Sequence, residues 1–298
     1  MNLADALRSA IEPDRVREQV PLAQSTTLKA GGTADLVVSA HSVGDVVAVQ
    51  RLASLHGAPV AVLGAGSNLI VADDGVRGIV LRVDGLAWTD IDGDLATIGA
   101  GTMNAHAVRA MHKAGYVGAE FLALVPGQFG GSVAMNAGTR WGELSDVLDA
   151  VTIVTAAAEV QRLTLGDLKP AYRHGGVPVG AVVVSGVIRV ERGDAATARE
   201  RVREEKRYRG QTQPYQEPCF GSSFANPPGD AAGRLIEAVG AQGVALGRRG
   251  DQREARELHR ELERRDRAGS CRIDGVGAQV RSRRNRYRAA SGGSCVWV

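Results

Sequence analysis

Four glycines and a proline fall within thirteen residues, in the run PGQFGGSVAMNAG from Pro126 to Gly138. Such density is incompatible with the interior of a regular element, because glycine loses the most backbone freedom on ordering and proline has no N–H to donate. The run is expected to be a loop whose backbone wraps a flat or anionic ligand, or else a structural loop packed on the core. A second stretch, Gly64-Ala65-Gly66-Ser67-Asn68, follows the apolar run Pro59–Leu63. Successive backbone N–H groups there can form an anion-binding concavity, and Ser67 and Asn68 can add side-chain donors. A plain tight turn is the competing reading. The stretch is no dinucleotide fingerprint, since GxGxxG is absent and no helical pattern follows. The two loops stand about sixty residues apart, so a fold can bring them to one ligand.

Strand and helix patterns surround the loops. Asp35–Ser39, Pro59–Leu63, Gly78–Val83, Ala150–Val154, Val160–Leu165 and Ala181–Val190 read as strands. A further strand runs toward Gly99 after a turn at Gly93, and Ser42–His56, Thr102–Ala114, Ala195–Arg207 and Ala232–Val239 read as helices. The mixture predicts an α+β architecture. At 298 residues the chain has room for one large domain or a few modest ones. The opening MNLADALRSAIEPDRV reads as an amphipathic helix within residues 1–20 and not as a signal peptide. A body from 21 to 193 and a C-terminal domain from 200 to 298 follow, with the charged helix as boundary.

Composition removes several function classes. Aromatic residues make up only 4%, which argues against a stacking platform for single-stranded nucleic acid. No apolar run approaches the length of a membrane span. Three scattered cysteines, Cys219, Cys271 and Cys295, suit neither a disulfide framework nor a metal site, and a reducing cytoplasm is the default. The net charge of +3 is uneven: residues 248–298 carry 14 Arg and 7 acids, a local +7, which leaves −4 on residues 1–247. A basic tail of this kind is a candidate nucleic-acid arm.

Five motifs occur in order: Thr26-Thr27-Leu28-x-x-Gly31-Gly32, GAGSNL, EFLALVPGQFGGSVAMNAG, AYRHG and GSSFANP. Together they resemble the UDP-N-acetylenolpyruvoylglucosamine reductase family, flavoenzymes of peptidoglycan precursor synthesis, from about Leu22 to Gly247. The resemblance implies a two-subdomain FAD-binding module of the vanillyl-alcohol-oxidase (PCMH) type over 21–193, followed by an α+β substrate-binding domain. It implies FAD held by Gly64, Ala65, Gly66, Ser67 and Asn68 and by Pro126, Gly127, Gly130, Gly131, Asn136 and Ala137. NADPH would reduce the flavin and leave; the UDP-sugar enolpyruvyl ether would then take its place and receive hydride at the vinyl carbon.

That step pushes negative charge onto the substrate carboxylate, and a permanently charged, bidentate Arg suits it. Arg173 matches the family position, and Ser222 matches the proton-donating serine, with Ser223 as its neighbouring competitor. Tyr172, Lys206 and Asn226 are expected at the substrate, the last two at its diphosphate. No metal, nucleic acid or membrane is expected, and a cytoplasmic monomer is the expectation. A flavin oxidoreductase of the same fold acting on another small molecule is the alternative.

Three departures stand out. Gly175 replaces a serine common in the family, and Gln128 replaces a small hydroxyl residue; both substitutions are expected to be tolerated. The third is the tail, which lacks the family's closing segment and its catalytic Glu. Permitted codons for Arg248–Leu262, read one base on, give Gly-Gly-Ala-Ile-Asn-Glu-Lys-His-Ala-Asn-Phe-Ile-Val-Asn, and Ser291–Trp297 give Pro-Glu-Val-Arg-Val-Phe-Gly. A single-base frameshift near Gly247 accounts for both, and for the Arg excess. The expectation is a chain that binds FAD but turns over poorly.

Overall fold

The computed structural model describes residues 1–213, 218–221, 225–227 and 229–238. In chain order the first elements are α1 (Leu3–Ala10), β1 (Val16–Pro21), β2 (Thr33–Ser39), α2 (Val43–His56), β3 (Val60–Val62) and β4 (Val76–Arg82). Next come β5 (Thr89–Asp92), β6 (Leu95–Gly99), α3 (Asn104–Lys113), β7 (Tyr116–Val117), α4 (Phe129–Ala134), β8 (Gly138–Thr139), β9 (Gly142–Glu143) and α5 (Leu144–Val147). Then follow β10 (Leu148–Val154), β11 (Val160–Thr164), α6 (Leu165–Leu168), β12 (Val182–Arg189), β13 (Glu191–Arg192), α7 (Ala195–Thr212) and α8 (Ala232–Ala238).

Two sheets carry the architecture. The first has the order β1-β2-β4-β3, with β1 antiparallel to β2 and the other pairs parallel, as the helical crossover α2 between β2 and β3 demands. The second is antiparallel throughout, in the order β11-β10-β12-β6-β5. Strand β2 is covered on both faces, and its Leu36, Val37 and Val38 are buried. Helix α2 starts at a capping box between Ser42 and Asp45 and stops at Gly57, whose φ of +62° no β-branched residue would accept. Val46 and Val49 of α2 share one continuous core with Ile79 and Leu81 of β4 and Ile153 of β10, which links the two sheets.

Three local expectations need correction. The N-terminal helix covers only Leu3–Ala10; Pro13 opens a single 3₁₀ turn, and Val16–Pro21 pair as β1 against β2. The glycine run is not wholly irregular, for Phe129–Ala134 form α4. Glycine is tolerated there because the helix is packed too closely for a side chain: a Cβ on Gly130 would stand 2.8 Å from that of Ala100. Phe129 is fully buried against Gly186 of β12, where an added Cβ would lie 3.0 Å from the ring. Finally, α7 does not open a new domain at residue 200. Met1–Gly221 form one compact unit, and the described residues from 225 onward belong to a second. Buried Val202 and the bond from the Arg209 guanidinium to Leu124 O tie α7 to the first unit.

Candidate functional site

The two glycine loops meet. The Ser67 hydroxyl donates to Pro126 O (3.0 Å), and a Cβ on Gly64 would lie 3.1 Å from Gln128 Oε1. The second loop is stitched to the segment after β6 by Asn104 N–H to Gly127 O, Phe129 N–H to Thr102 O and Gly130 N–H to Ala100 O. Asn104, fully buried at the start of α3, spans the bend: its Nδ2 donates to Val125 O (3.1 Å) and to Ser132 Oγ (2.8 Å).

The glycines have different reasons. Gly66 has φ +67°, and a Cβ there would stand 2.1 Å from Ser25 O, so its smallness serves the chain's own segment Ser25–Thr27. The Thr27 hydroxyl reaches two carbonyls, Gly66 O at 3.1 Å and Cys219 O at 2.5 Å, so residues 218–221 lie along the first loop. Gly221 accordingly sits near Asn68, its Cβ position 3.9 Å from Asn68 Oδ1. Gly127 has φ +118°. Gly131, by contrast, faces open space where a Cβ would stand and has no positive φ; nothing in the described protein requires a glycine there.

Arg173 stands at the tip of a two-residue hairpin closed by Ala171 N–H to His174 O (2.8 Å) and His174 N–H to Ala171 O (2.9 Å). Its φ is +59°, a left-handed conformation that costs an L side chain on the order of 1 kcal/mol. No carboxylate among the described residues pairs with its guanidinium. The hairpin is seated on the end of α4. Gly175 N–H donates to Ala134 O, and a Cβ on Gly175 would fall 1.8 Å from Val133 O. The glycine at 175 is therefore demanded by packing, beyond the tolerance expected of it. Buried Asn136, at φ +41°, donates from Nδ2 to Ala171 O (3.4 Å) and accepts at Oδ1 from Ser145 N–H (2.9 Å). So the loop of Pro126–Gly138 and the Arg173 turn are one assembly.

The other expected site residues are distributed around it. Gly64, Ala65, Ser67 and Asn68 are partly exposed, whereas Ala137 is buried in the turn after α4. The Ser67 proton faces Pro126, which leaves its oxygen as an acceptor only. Tyr172 is exposed beside Arg173. Lys206 lies on α7, where partial burial and then the charge of nearby Arg109 hold its ammonium below the usual lysine range. Asn226 belongs to the second unit, where its Oδ1 accepts from Ala232 N–H at the start of α8. Ser222 lies outside the described residues. Sequence patterns missed Asn104, Asp84 and the double reach of Thr27, because a lone polar residue inside an apolar pattern carries no sign of its partner. Among the described residues no His/Cys/Asp/Glu cluster suits a metal and no helix is long and apolar enough to cross a membrane.

Comparison with known proteins follows this geometry. Residues 34–164 match the family model of an FAD binding domain, and 213–255 match that of the UDP-N-acetylenolpyruvoylglucosamine reductase C-terminal domain. UDP-N-acetylenolpyruvoylglucosamine reductase of Anaeromyxobacter sp. (strain Fw109-5) is 42% identical, over 82% of this chain and 80% of its own length. The Bacillus velezensis enzyme of that name is 36% identical, over 83% and 82%. The crystal structure of the Thermus caldophilus reductase superposes with a TM-score of 0.69 at 34% identity, covering 78% of this chain and 83% of that one. Phl p 4.0202, a glucose dehydrogenase, shares the fold at 15% identity, with a TM-score of 0.53 over 64% of this chain and 44% of its own.

Proposed function

Because the chain belongs to the UDP-N-acetylenolpyruvoylglucosamine reductase family, we propose that it reduces the enolpyruvyl ether of UDP-N-acetylglucosamine to UDP-N-acetylmuramate, with NADPH as the source of reducing equivalents. FAD, when bound, supplies the hydride that it has taken from the nicotinamide. Two features of the glycine loops suit that cofactor. Gly131 is exposed, with nothing within 4 Å of where a Cβ would stand, and Gln128 Oε1 is buried with no hydrogen-bond partner among the described residues. Gly64, Ala65 and Asn68 would hold the cofactor from one side, and Pro126, Gly127, Gly130 and Gly131 from the other.

The observation that carries the reading is Arg173, a permanent cation held in a left-handed turn seated on the end of α4, with no carboxylate partner among the described residues. As hydride adds to the vinyl carbon, the neighbouring carbon and carboxylate take on negative charge. The guanidinium beside them stabilises that charge and fixes the carboxylate in a bidentate grip. Ser222 then gives a proton to the carbanionic carbon, and Lys206 and Asn226 hold the diphosphate. Tyr172, exposed beside Arg173, contacts the substrate.

A two-stage spectroscopic titration tests this. The yellow absorbance of the purified protein should fade with NADPH and return with the enolpyruvyl substrate. Arg173→Met should keep the first stage and slow the second by about 10²–10³-fold; an unchanged second stage would refute the role of Arg173. We further infer that residues 248–298 are read out of frame and that the parent chain is itself slow, since they offer no carboxylate where the family places its Glu.

A further inference from the structure

Gln128 is 9% exposed, and its two amide atoms have unequal fates. Its Nε2 donates to Asp84 Oδ1 at 2.8 Å, while its Oε1 is buried and has no partner among the described residues. The amide cannot be turned round to relieve this. A carboxylate only accepts, so the Gln128 nitrogen must face Asp84 and the oxygen must face away. Asp84 in turn accepts at Oδ2 from Arg82 Nε–H at 2.7 Å. The chain Arg82–Asp84–Gln128 thus ends in one acceptor of fixed direction, 3.1 Å from where a Cβ of Gly64 would stand. A buried acceptor left unmatched is costly, which marks the spot as one completed by a ligand.

The sign of that acceptor selects the ligand atom. Phosphate oxygens carry no proton to donate at neutral pH, and an amide oxygen backed by a carboxylate repels them. We propose that Gln128 Oε1 accepts a hydrogen bond from an N–H of the flavin ring or a hydroxyl of its ribityl chain, and so keeps the diphosphate away from the corner between Gly64 and Gln128. This rests on FAD as the cofactor. It also gives the departure at position 128 a function, since a small hydroxyl residue would not span the distance from Asp84 to the loop.

The test titrates the full chain, freed of flavin, with FAD by fluorescence quenching and with ADP by competition. Gln128→Met removes the acceptor. Asp84→Asn keeps it but offers an amide donor, so that Oε1 can be satisfied inside the protein. Each variant should bind FAD about 5–10-fold more weakly and ADP as the parent does. The unliganded melting temperature identifies any variant that fails to fold, in which case the other decides. FAD binding equal to the parent's in a folded variant overturns the proposal, as does a matching loss of ADP affinity, which would put the acceptor on the adenosine half. A parent chain that binds ADP but no FAD would instead overturn the cofactor reading itself.

Discussion

Arg173 places charge and strain on the same residue. Glycine adopts φ near +59° without penalty, so Arg173→Gly should leave the melting temperature equal or higher while slowing the substrate-driven return of flavin absorbance as Arg173→Met does. Thermal melting beside the two-stage titration measures both; a lower melting temperature would contradict the strain. Lys206 offers a second test. Its pKa is lowered by burial and by Arg109, so its charge disappears earlier than usual as pH rises. KM for the UDP-substrate should climb in that alkaline range, and Lys206→Arg should stay flat through it because guanidinium remains charged. The candidacy of Arg173 and Lys206 comes from the family resemblance, since a lone Arg or Lys reads by itself as a surface charge. The backbone angle of Arg173 and the fixed direction of Gln128 were not, since both are imposed by residues far along the chain: Asn136 lies 35 positions before Ala171, and Asp84 lies 44 before Gln128.

Among the elements, continuous apolar runs located the strands buried on both faces, such as β2, β10 and β12, and helical periodicity located the long helices within a few residues. It failed at α4 and β1. In α4 Gly130, which signals a loop, is there to let Ala100 approach, a tertiary cause with no local trace. In β1 Val16 is buried and Val20 half-buried with exposed residues between them, a spacing of four that a helix tail shows as readily as a strand. Helix α7 depends on its start. Asp194 accepts from the Thr197 hydroxyl and from the N–H groups of Thr197 and Ala196, and these bonds hold its carboxyl below the usual range. A depressed carboxyl stabilises the fold above its ordinary titration range and ceases to do so as pH falls through the lowered value. Asp194→Ala should therefore lower the melting temperature by about 2–4 °C at neutral pH, with the gap closing in acid.

For the molecule as a whole, family and cofactor module follow from residues 1–247, and the Arg-rich stretch from 248 does not share their character. If it is a displaced reading frame, the coding DNA will show codons compatible with the shifted peptide; a single incompatible codon within Arg248–Leu262 ends the idea. The matching functional outcome is a protein that is yellow as purified yet about 10²–10³-fold slower in its second stage than the Anaeromyxobacter relative. Full speed would show that the missing carboxylate is replaced from elsewhere. Thr27 has a single hydroxyl proton and two carbonyls within reach, at Gly66 and at Cys219. Both cannot hold it fully at once, yet the Thr27 N–H also donates to Gly66 O at 3.0 Å, so the hydroxyl can turn wholly to residues 218–221 while the first glycine loop stays anchored by the backbone.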